Sequence, residues 1–191
     1  MNTDVAKLTA SMEWSMERLA DLMIFAAGPG DAADLARVHV DAWRQTYQGL
    51  LPAPYLAAMN PVRHAGRWRH QLTAAPLADV VLAAEGPEGV VGYCAGALVG
   101  EAVAEVSTLY LLKSAQGLGL GGRLLAACAR VLQAREARSL RLWVLDGNVR
   151  ARGFYEHLGG VADARRPVSG WGGGLTETAY RWADIGVLAR R

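Results

Sequence analysis

Gln116-Gly117-Leu118-Gly119-Leu120-Gly121 stands where a strand-like run gives way to a helix-like one, and its reading decides the fold. Upstream, residues 106–112 (VSTLYLL) are rich in β-branched and aromatic side chains. Downstream, Arg123-Leu124-Leu125 followed by Cys128, Val131 and Leu132 repeats at helical spacing. A helix is therefore expected to begin on the glycines. Its first amides have no intrahelical partners and carry the positive end of the helix dipole. The bare positions Gly117, Gly119 and Gly121 would then let a pyrophosphate approach the N–H groups. The ligand implied is a nucleotide-type cofactor.

Spacing narrows the choice. Gly117, Gly119 and Gly122 satisfy GxGxxG by themselves, and Asp146 falls roughly where a dinucleotide fold places its ribose-binding acid, about 20 residues on. Two features oppose that reading. Lys113, Ser114, Ala115 and Gln116 separate the strand from the glycines, where the fingerprint needs glycine at the strand end. After Asp146 only residues 147–191 remain, too few to complete a doubly wound sheet.

A different pattern absorbs the same residues. Leu109-Tyr110-Leu111-Leu112, then Gln116-x-x-Gly119-x-Gly121, then Asn148 leading to Phe154-Tyr155-Glu156-x-Leu158-Gly159, resembles in this order the motifs of the GCN5-related N-acetyltransferase (GNAT) superfamily. The resemblance is strong over residues 105–160. It is looser over residues 23–182, where Trp43-Arg44-x-Thr46-Tyr47-x-Gly49-Leu50-Leu51-Pro52 is similar to the amino-terminal half of many bacterial members. It implies an α/β (α+β) fold: a mixed, mostly antiparallel central sheet of six to seven strands flanked by helices. Residues 1–22 read as an amino-terminal extension and residues 23–191 as a single acetyltransferase domain.

The resemblance also implies a chemistry. Acetyl-CoA would be the cosubstrate, and its acetyl group would pass directly to a primary amine of a small molecule or a protein amino terminus. Leu109, Tyr110 and Leu111 would pair with the peptide-like pantetheine arm, and a strand N–H near Leu111 would face the developing oxyanion. The loop Gln116, Gly117, Leu118, Gly119, Leu120, Gly121 and Gly122 would hold the pyrophosphate. Asn148 would contact the pantetheine arm, with a plain helix N-cap as its alternative. Tyr155 matches the family tyrosine that protonates the leaving thiolate.

An alkyl ammonium must lose a proton before it attacks, and Glu105, on the strand that carries the thioester, is the expected base. A solvent-facing strand glutamate is the bland reading of the same residue; Glu101 and Asp146 are lesser candidates. Some relatives carry a base on the strand after the cofactor helix, but the aligned residue is Trp143. Leu118 and Lys113 stand where commoner motifs have a basic residue and a proline. Trp171, within Ser169-Gly170-Trp171-Gly172-Gly173-Gly174, would border the acceptor cleft and could close over it, or be ordinary surface. A non-catalytic acyl-CoA-binding regulatory module is the rival reading, and a nucleotide oxidoreductase comes third.

Composition bounds the rest. The chain has 191 residues, 52% hydrophobic and 20% charged, with a net charge of +2, which describes a folded globule and gives no reason to expect nucleic acid as a partner. Cys94 and Cys128 have no CxxC spacing and fit core packing in a reducing cytoplasm. His39, His64, His70 and His157 share no metal-ligand spacing, so no metal is expected. No apolar run reaches the length needed to span a bilayer. A homodimer is compatible with the family. Coarse periodicity predicts helices over 32–47, 52–59, 62–72 and 149–158. It predicts strands over 23–26, 78–84, 89–99, 102–112, 139–145, 161–168 and 175–182.

Overall fold

The computed structural model describes residues 22–74, 79–169 and 174–191. Residues 1–21 of the proposed extension over 1–22, and the Trp171 loop centre, lie outside the described residues. Seven strands form one sheet: β1 (Met23–Ala26), β2 (Asp79–Gly86), β3 (Gly89–Gly100), β4 (Val103–Leu111), β5 (Ser139–Leu145), β6 (Val161–Pro167) and β7 (Thr176–Trp182), in the order β1-β2-β3-β4-β5-β7-β6. Every neighbouring pair is antiparallel except β4 and β5. The helices are α1 (Ala32–Thr46), α2 (Ala53–Ala58), α3 (Pro61–Ala74), α4 (Leu120–Ala134), α5 (Val149–His157) and a short α6 (Gly186–Ala189), which the sequence reading did not anticipate.

The β2–β3 hairpin turns on Pro87 and Glu88 alone, tighter than the four residues expected. Gly86 pairs with Gly89, whose φ of 99° is left-handed backbone that glycine adopts without a Cβ penalty as the chain leaves the turn. Helix α4 buries Leu120, Leu124, Leu125, Cys128 and Leu132 against one face of the sheet, where they meet Cys94, Val106, Leu140 and Leu142. Burying each such leucine contributes about 1.5–3 kcal/mol. Gly96 permits this approach: a Cβ there would lie 2.9 Å from the Glu105 carbonyl oxygen and 3.4 Å from Cys128 Sγ. Both cysteines are buried free thiols, as core packing requires. Helices α1 and α3 cover the opposite face, with Leu35, Val38 and Trp68 against Val81, Ala83 and Tyr93.

Strand β4 decides where a ligand can enter. Ala95 pairs with Thr108 but Gly96 with Val106, so Ser107 is the extra residue of a β-bulge, and its hydroxyl bonds the Ala95 carbonyl at 3.3 Å. The parallel pairing of β4 with β5 covers only Val103–Val106 against Ser139–Leu142. Beyond Val106 and Leu142 the two strands part, leaving a fork in the middle of the sheet.

Candidate active site

The free edge of β4 lines this fork. Leu112 donates its N–H to the Val91 carbonyl at 2.9 Å, so alternation turns the backbone groups of Tyr110 toward β3 and those of Leu109 and Leu111 toward the gap. The Leu111 carbonyl is engaged there by Gln116 Nε2 at 3.0 Å. Gln116 thus ties the glycine loop to the end of β4, a role the motif alone did not reveal. The backbone groups of Leu109 and the N–H of Leu111 remain turned to the fork, where an extended amide-bearing chain could pair with them.

The glycine loop continues from that edge. Gly117 and Gly119 have φ of 79° and 77°, left-handed backbone that costs other residues about 1–2 kcal/mol. A Cβ at either would meet nothing within 4 Å, so both face open space. The first bond of α4 runs from the Arg123 N–H to the Gly119 carbonyl at 3.1 Å, leaving the amides of Leu120, Gly121 and Gly122 without intrahelical acceptors. Left-handed glycines, open space and free amides at the start of a 15-residue helix fit a pyrophosphate. Gly121 corrects the sequence reading in part. Its absent side chain faces the core, where a Cβ would lie 3.2 Å from both Leu111 Cδ1 and Phe154 Cζ. The residue lets the helix start pack, while only its amide faces the cradle. Leu120 is likewise buried, and Leu118 is half-buried.

Helix α5 forms the far side of the fork. Asn148 caps it, its Oδ1 accepting from the Ala151 N–H at 3.2 Å. The N-cap reading therefore holds for that oxygen, and Nδ2 is left for a ligand. Tyr155 is buried, with ring centroids 5.2 Å from Phe154, 6.0 Å from Tyr180 and 6.3 Å from Trp182. Burial pushes its phenol above the ordinary range, with Cys94 and Tyr47 adding smaller effects. Such a phenol stays protonated and so has a proton to donate, while burial makes it a weaker acid than an exposed tyrosine.

The acid candidates separate clearly. Glu105 sits one pair before the β4–β5 register ends, on the face opposite α4, and is held by Arg141 Nε at 2.7 Å. A proton reaching it must displace or share that ion pair. Glu101 lies on the β3–β4 turn at the closed end of the strands, away from the fork, and is corrected as a candidate. Asp146 is also corrected. The Thr176 and Thr178 hydroxyls donate to it, Arg165 Nε lies at 2.6 Å, and these bonds hold its carboxyl down to about 2, too acidic for a base.

Sequence reasoning missed an aromatic and histidine cluster against the same face. His39 Nδ1 and the Tyr93 hydroxyl are 2.6 Å apart, the Tyr47 and Tyr110 hydroxyls 3.0 Å, and the His39 and His64 rings 4.7 Å. Burial first, then His64 and Arg67, lower His39 to about 4, so it is neutral at physiological pH. The i, i+4, i+8 run of His39 and Trp43 on α1 and Tyr47 at its C-terminal cap is the signal that could have located it. Arg166 over the Trp143 ring, at 3.8 Å, had no local signal. Among the described residues no His, Cys, Asp or Glu group could hold a metal, and no helix is long and apolar enough to cross a membrane.

Comparison with known proteins agrees with this geometry. Residues 40–160 match the model of the acetyltransferase (GNAT) family. The chain is 30% identical over 162 residues to the uncharacterized N-acetyltransferase YuaI of Bacillus subtilis, covering 83% of this chain and 91% of that protein. Among solved structures, the PaiA N-acetyltransferase of Thermoplasma acidophilum in complex with coenzyme A superposes with a TM-score of 0.71 at 18% identity, covering 84% of this chain and 97% of that one. The yncA protein of Salmonella typhimurium, with acetyl-CoA, gives 0.65 at 16% identity over 86% and 94%. The chain belongs to the GNAT family of acetyltransferases, acyltransferases whose cosubstrate is acetyl-CoA.

Proposed function

We propose that this enzyme acetylates a primary amine, of a small molecule or of a protein amino terminus, by direct transfer within a ternary complex. The observation that carries the reading is the fork: an unpaired β4 edge at Leu109 and Leu111 running into the open, left-handed turns at Gly117 and Gly119. In this reading the pantetheine arm pairs with that edge and with Asn148 Nδ2, and the loop amides hold the pyrophosphate. The amine nitrogen bonds the thioester carbon, the C–S bond breaks, and CoA leaves as a thiol protonated by Tyr155. The ammonium loses one proton to Glu105, directly or through water, before it attacks, and the second proton, lost from the nitrogen as the amide forms, restores the one that Tyr155 gives to the thiolate. The Leu111 N–H, fixed by the strand, stabilises the oxyanion by a few kcal/mol. A soluble nucleotide cosubstrate goes with a cytoplasmic location.

Thiol release from acetyl-CoA, measured across a panel of amines, tests transfer. Glu105→Gln should lose rate most visibly below the acceptor's own pKa. A variant with an unaltered pH–rate profile would move the base elsewhere.

A further inference from the structure

The sheet face opposite α4 carries a row of guanidinium groups that the mechanism leaves unused. Arg141 pairs in register with Glu105 on one side and Arg181 on the other, and Arg166 pairs with Glu177 farther along β7. Leu140, Leu142, Tyr180 and Trp182 alternate with these positions and are buried in the α4-side core, so Arg141 and Arg181 project from the other face. Trp143, Ala179, Glu177 and Arg166 share that face by the same alternation. It continues directly from Glu105 at the fork.

The charges do not cancel. Glu105 meets Arg141 at 2.7 Å and Glu177 meets Arg166 at 2.6 Å, whereas exposed Arg181 meets no carboxylate among the described residues. Directly opposed like charges on neighbouring strands are destabilising, and the fold carries Arg141 against Arg181 with Glu105 answering Arg141 and no carboxylate among the described residues answering Arg181. A second observation is independent of charge counting. Trp143 Nε1 is buried with no hydrogen-bond partner, beneath the Arg166 guanidinium. Indole N–H and guanidinium groups donate and cannot accept. The chemistry that answers such a set is an oxyanion, which guanidinium forks bind with two parallel bonds. On the same side of the sheet, exposed Arg63, Arg67 and Arg69 on α3 add positive charge with no acidic residue on that helix.

We propose that the acceptor carries a carboxylate or comparable oxyanion close to its amine, and that Arg181, Arg166 and the Trp143 N–H determine this preference. The inference rests on the acetyl-transfer reading and narrows its acceptor to amino-acid-like amines. Polyamines and other polycations are disfavoured by the same residues.

The test uses matched pairs: L-amino acids against their decarboxylated amines, and O-phosphoethanolamine against ethanolamine to separate carboxylate from phosphate recognition. The wild-type enzyme should favour an anionic member at least about ten-fold in kcat/KM, a ratio typical of one charge-assisted contact. Arg181→Gln and Arg166→Gln should bring that ratio toward parity by raising the acceptor KM, Arg181→Lys should retain part of it, and Trp143→Phe should reduce it. Acetyl-CoA affinity by calorimetry reports that each variant is folded. Equal or faster acetylation of the uncharged-side partners by wild type, or a ratio that survives both glutamine variants, overturns the inference. Acetyl-CoA binding without acetylation of any anionic acceptor also overturns it while leaving the donor site standing; failure to bind acetyl-CoA overturns both.

Discussion

Gly119 offers the sharpest test of the phosphate cradle, because strain, bulk and charge can be separated there. Its φ of 77° is left-handed, and a Cβ would meet nothing within 4 Å, so the native fold has room for a side chain. Asn and Asp are the non-glycine residues that tolerate this backbone best and have nearly the same shape. Gly119→Asn therefore measures conformation and bulk, and Gly119→Asp adds one negative charge at the helix start. A carboxylate about 5 Å from one phosphate charge is opposed by about 1 kcal/mol in water and about 3 kcal/mol at an effective dielectric near 20. The Asp variant should thus bind acetyl-CoA about 5- to 150-fold more weakly than the Asn variant, by calorimetry on proteins with matched thermal melts. The gap should shrink as salt rises. If the two variants bind alike, and both like wild type, no phosphate sits on this turn.

Other expectations follow from neighbouring residues. Tyr155→Phe keeps the buried ring and removes the proton donor, so kcat should fall about 10²- to 10⁴-fold with acetyl-CoA affinity little changed; wild-type turnover would assign Tyr155 to packing. Gly121→Ala places a methyl 3.2 Å from Leu111 and Phe154 and should cost about 1–3 kcal/mol of stability in a denaturant titration, whereas Gly122→Ala, whose Cβ would first meet Leu158 at 4.0 Å, should cost less. The Asp146 carboxyl is depressed to about 2 in the folded chain against about 3.9 when unfolded, so its contribution is complete above pH 4 and disappears as pH falls through 2. Asp146→Asn should accordingly lower the melting temperature at pH 7 and weaken the acid dependence between about pH 4 and 2. Melting curves of the two proteins with parallel pH dependence would contradict the hydroxyl bonds described for it.

The strand-to-glycine-to-helix junction was legible because its signals are local: a change of period from two to 3.6 residues and glycines where the chain must turn left-handed. The mixed, mostly antiparallel sheet flanked by helices came through the motif resemblance, and the order of its strands came only from the structure. What could not be read is what each glycine is for. Gly119 and Gly121 are indistinguishable on paper, yet one opens to solvent and the other is pressed between Leu111 and Phe154, and only tertiary neighbours decide that. The same holds for charges. Glu105 looked like a free base, but its partner Arg141 is 36 residues away and arrives through strand pairing. Asp146, weighed first as a ribose contact and then as a base, is committed to hydroxyls and a guanidinium on the closing hairpin. Trp143 looked like a closed option at the position of a base, and the structure instead puts it under Arg166.

The short contact between β4 and β5 has a mechanical consequence. Four residue pairs join two antiparallel half-sheets, β1 through β4 and β5 with β7 and β6, so the sheet is continuous in name but hinged in stiffness. A cosubstrate whose arm pairs with the β4 edge would act as an added strand across that hinge, making the small molecule a structural member of the protein that consumes it. Turnover would then alternately brace and release the sheet. The amides of Leu109 and Leu111 would report the cycle by slow hydrogen exchange when braced and fast exchange when released. At a hundred-fold excess over its dissociation constant the bound molecule would stabilise the fold by about 2.7 kcal/mol, so the abundance of acetyl-CoA in the cell would tune how rigid this enzyme is.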